Sequence, residues 1–312
     1  SGCGNNSPPP LFLDPGLDVP AGSLSSPELK KALKAVKDET ITISRTGPSS
    51  ACLIGTSGKA MVPYVSPEDY TVTIHHPERM RFVGDEVVRS VLSVLHAAAP
   101  EDQPVLHGIH LTPVLAECTD QERIARVAIP FLVSSPMLVP SKLFDRWPKK
   151  SQFGASFGLV NGHFCVQAGE QFRWTAFSAP AEYPDVTSLL PSPQSMYANV
   201  ERKPLLAALR AARTMASGDV VELLFGVDGL EVRGVLEDGK PVATTTIPFQ
   251  AGGQSAPVLV ALRGRLILDS VTAVVTPEVI FRYTNPASPV AVTDGSVFTA
   301  AVWPLVVPPE VS

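Results

Sequence analysis

Apolar residues recur along this chain first at helical and then at alternating spacing, and that order repeats. Leu29, Leu33 and Val36 form a helical stripe that opens behind Ser25 and Ser26, with Pro27 at the favoured first position. Strand patterns follow at about 40–45, 51–55 and 59–65, and 70–75 links onward. A second helix is predicted over 84–98, with Val88, Val91, Leu92 and Leu95 inward and Arg89, Ser93 and His96 outward. Strands then fall at about 105–111, 113–118, 123–130 and 135–138, and a helix over 141–147 ends before Pro148. Asn161-Gly162 and Asp228-Gly229 are hairpin turns between alternating runs, and Gln171–Ser178 adds a strand. The remaining pattern predicts helices at about 202–216 and 262–274. Strands are expected at about 230–237, 241–248, 278–284, 288–293 and 297–305.

This order is a repeat. A unit of about 45 residues, helix then strands then a Pro-aromatic tail, starts at Pro27, at Ser141 and at Leu262, roughly 115 residues apart. A different half-unit fills the gaps at about 83–130 and 200–249. With three second halves and two first halves, the chain is expected to begin inside its first module. The strand order is rich in hairpins, with no crossover helix between successive strands of a meander, so the sheets should be antiparallel. The predicted class is α+β: repeated helix plus β-meander modules with helices on one side. The expected divisions are a tail over 1–20, a half module over 21–78, and full modules over 79–190 and 191–312.

Composition adds limits. The 312 residues carry a net charge of −5, so any surface for nucleic acid must be local rather than global. No apolar run approaches the ~18–20 residues of a membrane span. The 31 prolines gather in the tail, at module joints and in turns. Cys3, Cys52, Cys118 and Cys165 lack metal or redox spacing, and three lie in apolar strand contexts. They read as reduced thiols of a cytoplasmic protein.

Candidate chemistry is sparse. Gly154-Ala155-Ser156-Phe157-Gly158 has the spacing of a nucleophile elbow, but a hairpin rather than a helix follows Ser156. His107 and His110 fall on opposite faces of a strand and lack further ligands; they and His75-His76 read as surface or satisfied core histidines. The reading is a non-enzyme without cofactor or metal. Basic helix faces stand out more. Lys30, Lys34 and Lys37 share one stripe, and Lys203, Arg210 and Arg213 another. Arg89, Lys142, Arg146, Lys149, Arg263 and Arg265 mark the other helices. Arrayed on one concave surface, such side chains would attract a phosphate backbone without reading bases.

Several segments resemble the bacterial sliding clamp, the β subunit of DNA polymerase III. Gln103-Pro104-Val105-Leu106-His107-Gly108-Ile109 followed by Ala116-Glu117-Cys118-Thr119-Asp120-Gln121-Glu122-Arg123-Ile124 is similar to that family's Leu-Asn-Gly-Ile and Ala-Thr-Asp-Gly-His-Arg-Leu segments. Tyr183-Pro184-Asp185 through Leu189-Leu190-Pro191 resembles its Phe-Pro-Asp linker, and Ala301-Val302-Trp303-Pro304-Leu305 its closing Met-Pro segment. The resemblance covers the second and third clamp domains and the second half of the first. It implies a DNA clamp fold, weak sequence-independent binding of double-stranded DNA, and a homodimer. The dimer would pair Lys59–Val65 with a surface near Thr214 and Met215.

By position, the resemblance also implies a groove for short peptide motifs of polymerases or repair proteins. Leu106, Thr119, Arg123, Ile124, Pro184, Leu189, Leu266, Trp303, Pro304 and Leu305 would line it. Three departures should weaken or redirect binding of the usual acidic-aromatic motif: Gln121-Glu122 stands where the family has Gly-His, the Arg or other polar residue expected near Gln103 and Ser188 is absent, and Trp303 stands where it has Met. Two functions follow. One is a clamp-like processivity factor of the bacterial cytoplasm. The other is a clamp-fold dimerisation or ligand-sensing module fused upstream to a helix-turn-helix regulator.

Overall fold

A computed structural model describes residues 23–24, 26–36, 41–47, 49–65, 80–130, 132–144, 154–160, 163–168, 172–177, 179–180, 183–192, 195–253 and 256–305. The chain divides into two compact units, Ser1–Ile74 and His75–Ser312. The predicted tail over 1–20 and the link over 70–75 lie outside the described residues.

In the first unit, β1 (Ser23–Leu24) leads into α1 (Ser26–Val36), followed by β2 (Thr42–Gly47), β3 (Ser50–Ile54) and β4 (Lys59–Val65). They form an antiparallel sheet of order β1-β4-β3-β2. Ala32 of α1 packs with Ala51, Leu53 and Val62, and Leu33 closes the edge of this small core. β3 pairs with Lys59–Pro63 of β4, whereas β1 pairs only with Tyr64 and Val65.

The second unit opens with β5 (Arg81–Val83), α2 (Asp85–Ser93), β6 (Gly108–Leu111), β7 (Leu115–Thr119), β8 (Arg123–Ala128) and β9 (Met137–Pro140). Next come β10 (Ala155–Val160), β11 (His163–Ala168), β12 (Phe172–Phe177), β13 (Ala179–Pro180) and β14 (Met196–Glu201). Then follow α3 (Arg202–Met215), β15 (Val220–Phe225), β16 (Leu230–Val235), β17 (Pro241–Ile247), β18 (Phe249–Gly252) and β19 (Val258–Arg263). The chain continues with α4 (Gly264–Ala273), β20 (Glu278–Tyr283), β21 (Val290–Thr293) and β22 (Phe298–Val302).

Every described strand pairing is antiparallel, as expected of an α+β meander fold. Two four-stranded sheets, β12-β11-β10-β5 and β17-β16-β15-β19, flank a ten-stranded one, β13-β9-β6-β7-β8-β22-β21-β20-β14-β18. The long sheet fuses two meanders. β8 and β22 meet in register from Phe298↔Val127 to Val302↔Arg123, far apart in sequence. α2 packs on β8, α4 on β22 and β19, and α3 on β16, β17 and α4. Val88 and Val91, Leu205 and Leu209, and Leu266 and Ile267 from the three helices enter one continuous core. No helix among the described residues is long and apolar enough to cross a membrane.

Three local expectations change. The helix predicted over 84–98 stops at Ser93 and gives way to a 3₁₀ turn over Leu95–Ala97. There Ala97 and Ala98 donate to Val94 and Leu95, while the His96 ring takes the Ser93 carbonyl at 2.7 Å. The tighter rotation turns Val94 fully inward and half-buries His96, which the uniform helical stripe had put outside. In the predicted helix over 141–147, the described part is a 3₁₀ turn, Ser141–Leu143. Finally, α4 begins at Gly264 rather than 262, because Leu262 and Arg263 complete the ladder of β19 with β15. The Asn161-Gly162 turn lies outside the described residues, although β10 and β11 pair as predicted up to Val160↔His163.

Candidate functional site

The β7–β8 hairpin turns through Asp120–Glu122, with Gln121 in the left-handed region at φ 72. Asp120 Oδ1 accepts the amides of Glu122 and Arg123, and Thr119 Oγ1 donates to the Arg123 carbonyl. The turn therefore fixes the start of β8 and with it the Arg123 side chain. That guanidinium is buried between two carboxylates: Nε reaches Asp120 Oδ2 at 3.0 Å and Nη1 reaches Asp269 Oδ2 of α4 at 3.0 Å. Beside it His96 Nε2 lies 3.4 Å from Ser270 Oγ of α4. Burial, reinforced by the Arg123 charge, pushes the His96 imidazole down to about 4, so it is neutral at physiological pH. Arg123 thus ties the two meanders together and spends its donors on protein carboxylates.

The exit of β22 is bound to the same turn. The Trp303 amide donates to the Glu122 carbonyl at 3.0 Å, and the Leu305 amide to the Ala261 carbonyl at 2.8 Å. The residues expected to line a groove divide sharply here. Leu106, Thr119, Arg123, Ile124 and Leu266 are buried. Trp303, Pro304 and Leu305 are partly exposed, and Pro184 and Leu189 exposed. Gly108 in the same stretch has no room for a side chain: a Cβ would fall 2.4 Å from the Val139 carbonyl oxygen. Glu122 and Arg263 form an ion pair of 3.0 Å at this end of the sheet, each about half exposed.

The other face of β6–β8 carries a cluster that sequence reasoning missed. Glu117 Oε1 meets His110 Nδ1 at 2.8 Å, and Oε2 accepts from Arg126 Nε and Nη2 at 3.0 and 2.8 Å. Burial alone would push the Glu117 carboxyl up, yet the His110 hydrogen bond and the Arg126 charge hold it below the ordinary carboxylate range. The available signal was alternation: Glu117 and Arg126 occupy polar positions between Ala116 and Cys118 and between Ala125 and Val127.

Neither a family of known proteins nor a curated protein matches the chain by sequence. Solved structures do match. DNA polymerase III subunit beta of Pseudomonas aeruginosa superposes with a TM-score of 0.74 at 15% identity, over 92% of this chain and 83% of that one. Caulobacter crescentus pol III beta gives 0.76 at 17% identity, over 93% and 84%. The Bacillus subtilis DNA polymerase sliding clamp gives 0.75 at 15% identity, over 92% and 80%. This chain has the sliding-clamp fold. The agreement runs through nearly the whole chain, as the resemblance of the Thr119–Ile124 and Trp303–Leu305 segments implies.

Within the clamp fold, the basic residues fall into two groups. Arg89 pairs with Asp85, Lys142 with Glu101, Arg213 with Asp219 and Arg263 with Glu122. Arg263 also proves to be a strand residue, not part of the helical stripe. Arg213 supports architecture, because its partner Asp219 caps α4 through Oδ2 and the Arg265 amide at 3.0 Å. Lys34, Lys203, Arg210 and Arg265 are exposed and make no ion pair among the described residues. Arg210 and Arg213 line a shallow hollow of about 280 Å³ with Thr214 and Leu268. The Lys30, Lys37, Arg146 and Lys149 side chains lie outside those described.

The remaining candidates are structural. His107 bonds to the Ala99 carbonyl at 2.7 Å and to Ser141 Oγ at 3.2 Å, and His110 pairs with Glu117, so both are satisfied. No cluster that could hold a metal occurs among the described residues. Ser156 sits inside β10, which pairs with β11 and β5, so the strand-to-helix turn of an elbow is not formed there. Cys52, Cys118 and Cys165 are buried thiols not joined in disulfides, and burial raises that of Cys118.

Proposed function

We propose that this chain is a clamp-like processivity factor of the bacterial cytoplasm. It holds double-stranded DNA loosely and tethers replication or repair proteins through a peptide groove at the joint of modules 79–190 and 191–312. The observation that carries the reading is the apolar ledge Trp303-Pro304-Leu305, partly exposed although Arg123, Ile124, Ala261, Leu266 and Val302 are buried. An aromatic ring held by backbone bonds at both flanks presents surface at little entropic cost, as peptide-binding sites require. Glu122 and Arg263 place one charge of each sign at this end of the sheet. A homodimer fits the same reading, with the part of β4 left uncovered by β1, Lys59–Pro63, as the pairing edge.

The test is a titration with a fluorescein-labelled peptide bearing acidic and aromatic side chains. Trp303→Ala should weaken its binding about tenfold or more, with unchanged circular dichroism. Equal affinity of parent and variant would remove the groove from the reading.

DNA is held, in this reading, by Lys203, Arg210 and Arg265, exposed cations of the second unit with no ion pair among the described residues. Changing Lys203 and Arg210 to Glu should abolish retention on circular DNA while the melting temperature stays put. Arg213 is spared because it supports the Asp219 cap. Retention of the parent should fall steeply with salt. A parent that shows no salt-sensitive retention would overturn the DNA half of the proposal.

A further inference from the structure

The Glu117 cluster spends buried charge where an apolar patch would hold the strands at least as well. Replacing buried ion pairs by packed apolar residues is often neutral or stabilising, so such a cluster is weak as a source of stability alone. What it supplies is direction. Both Glu117 oxygens are occupied, one by His110 from β6 and one by the guanidinium fork of Arg126 from β8. The fork is thereby fixed, and Arg126 Nη2 also donates to Thr187 Oγ1 at 3.1 Å, in the segment that connects β13 to β14. Four residues earlier in that segment, the Tyr183 ring stacks on His110 at 4.4 Å with the planes 19° apart.

The segment is also locally shaped to receive these contacts. Asp185 Oδ1 accepts the Thr187 amide at 2.9 Å, the Leu189 and Leu190 amides return to Val186 and Thr187, and Val186 is buried. An ordinary apolar face could bury Val186 but could not select which hydroxyl docks where.

We propose that Glu117, His110 and Arg126 form a hydrogen-bonded latch that fixes the 183–190 segment on the face of β6–β8 opposite Arg123. Glu117 is the positioning residue, acting through the other two. The latch stands on its own contacts; its consequence for ligands, the placement of Pro184 and Leu189, rests on the groove proposed above.

Hydrogen exchange on the full chain, without any peptide, tests the latch separately from the groove. Thr187→Val removes the strand-to-segment hydrogen bond together with the hydroxyl's bond to Asp185, and Glu117→Gln keeps the shape and the Thr187 hydroxyl but removes the central charge. In Glu117→Gln the amides of Thr187, Leu189 and Leu190 should exchange about tenfold faster, and in Thr187→Val several-fold faster. The amides of β15 should keep the parent rate in both. Unchanged segment exchange in Thr187→Val, or acceleration spread evenly over the unit in Glu117→Gln, would overturn the latch. Should Glu117→Gln fail to fold, Thr187→Val is read against Asp185→Asn, which perturbs the segment but spares the Arg126 bond: the latch requires the larger acceleration in Thr187→Val, and equal rates would overturn it. A peptide that ignores Trp303→Ala while these amides respond would sink the groove and leave the latch standing.

Discussion

Arg123→Ala should lower the unfolding free energy by about 3 kcal/mol or more, read as a fall in the urea midpoint at constant slope. The guanidinium is buried and bridges Asp120 to Asp269. Removing it leaves a buried carboxylate facing a void, which costs more than the pair contributed. Asp269 is partly exposed and regains water, so the loss should sit at the low end of the range for a broken buried pair. Arg123→Met, which fills the space without charge, should recover a good part of it. If Arg123→Ala instead leaves the midpoint unchanged and abolishes peptide binding, Arg123 is a ligand anchor and its two carboxylates are incidental.

His96 should make the second unit acid-sensitive well above the carboxylate range. Its folded pKa is lowered from 6.5 to about 4, first by burial and then by Arg123. A depressed histidine is neutral in the fold and charged in the unfolded chain between those values, so the unfolded state binds the extra proton. The stabilisation is complete above pH 6.5 and lost as pH falls toward 4. Fully expressed, the shift corresponds to about 3 kcal/mol; the ring keeps some solvent contact, so about 2 kcal/mol should be seen. Urea midpoints at pH 7.5, 5.5 and 4.5 should therefore slope for the parent and flatten for His96→Gln. Parallel slopes would mean that His96 takes up its proton without disturbing the fold. Glu117 contributes at lower pH, since its carboxyl is held below 4.5 and its share is lost as pH falls beneath that value.

Local elements were legible wherever one periodicity ran undisturbed. α3 came out at Arg202–Met215 against an expected 202–216, because Leu205, Leu209 and Ala212 repeat on one face of an alanine-rich segment. β15 and β16 pair around Asp228-Gly229 as the turn chemistry requires. The failures have named causes. α2 gave way to a 3₁₀ turn where the His96 ring took a backbone carbonyl, and α4 started late because Arg263 is held in a ladder by Val220. Propensity carries no information about either contact.

For the candidate site, the division was between residue identity and residue state. The Thr119–Ile124 and Trp303–Leu305 segments were readable as a related pair, and they do converge through the Trp303 amide and the Glu122 carbonyl. That Arg123, Ile124 and Leu266 would be buried while Trp303 stayed partly open was not readable. Burial at that joint depends on β22 docking against β8, a pairing between distant segments.

By itself the sequence determined the antiparallel meanders and the helix over Arg202–Met215 with its exposed Lys203 and Arg210, since each follows from spacing over a few residues. Only the tertiary structure decided which charges remain available. Arg263 faces Glu122 and Arg123 faces Asp269 across long stretches of chain, while Lys203 and Arg210 make no ion pair among the described residues. Coulomb attraction between side chains depends on a few ångströms of separation and on local burial, and both are set by which strands meet rather than by where residues stand along the chain.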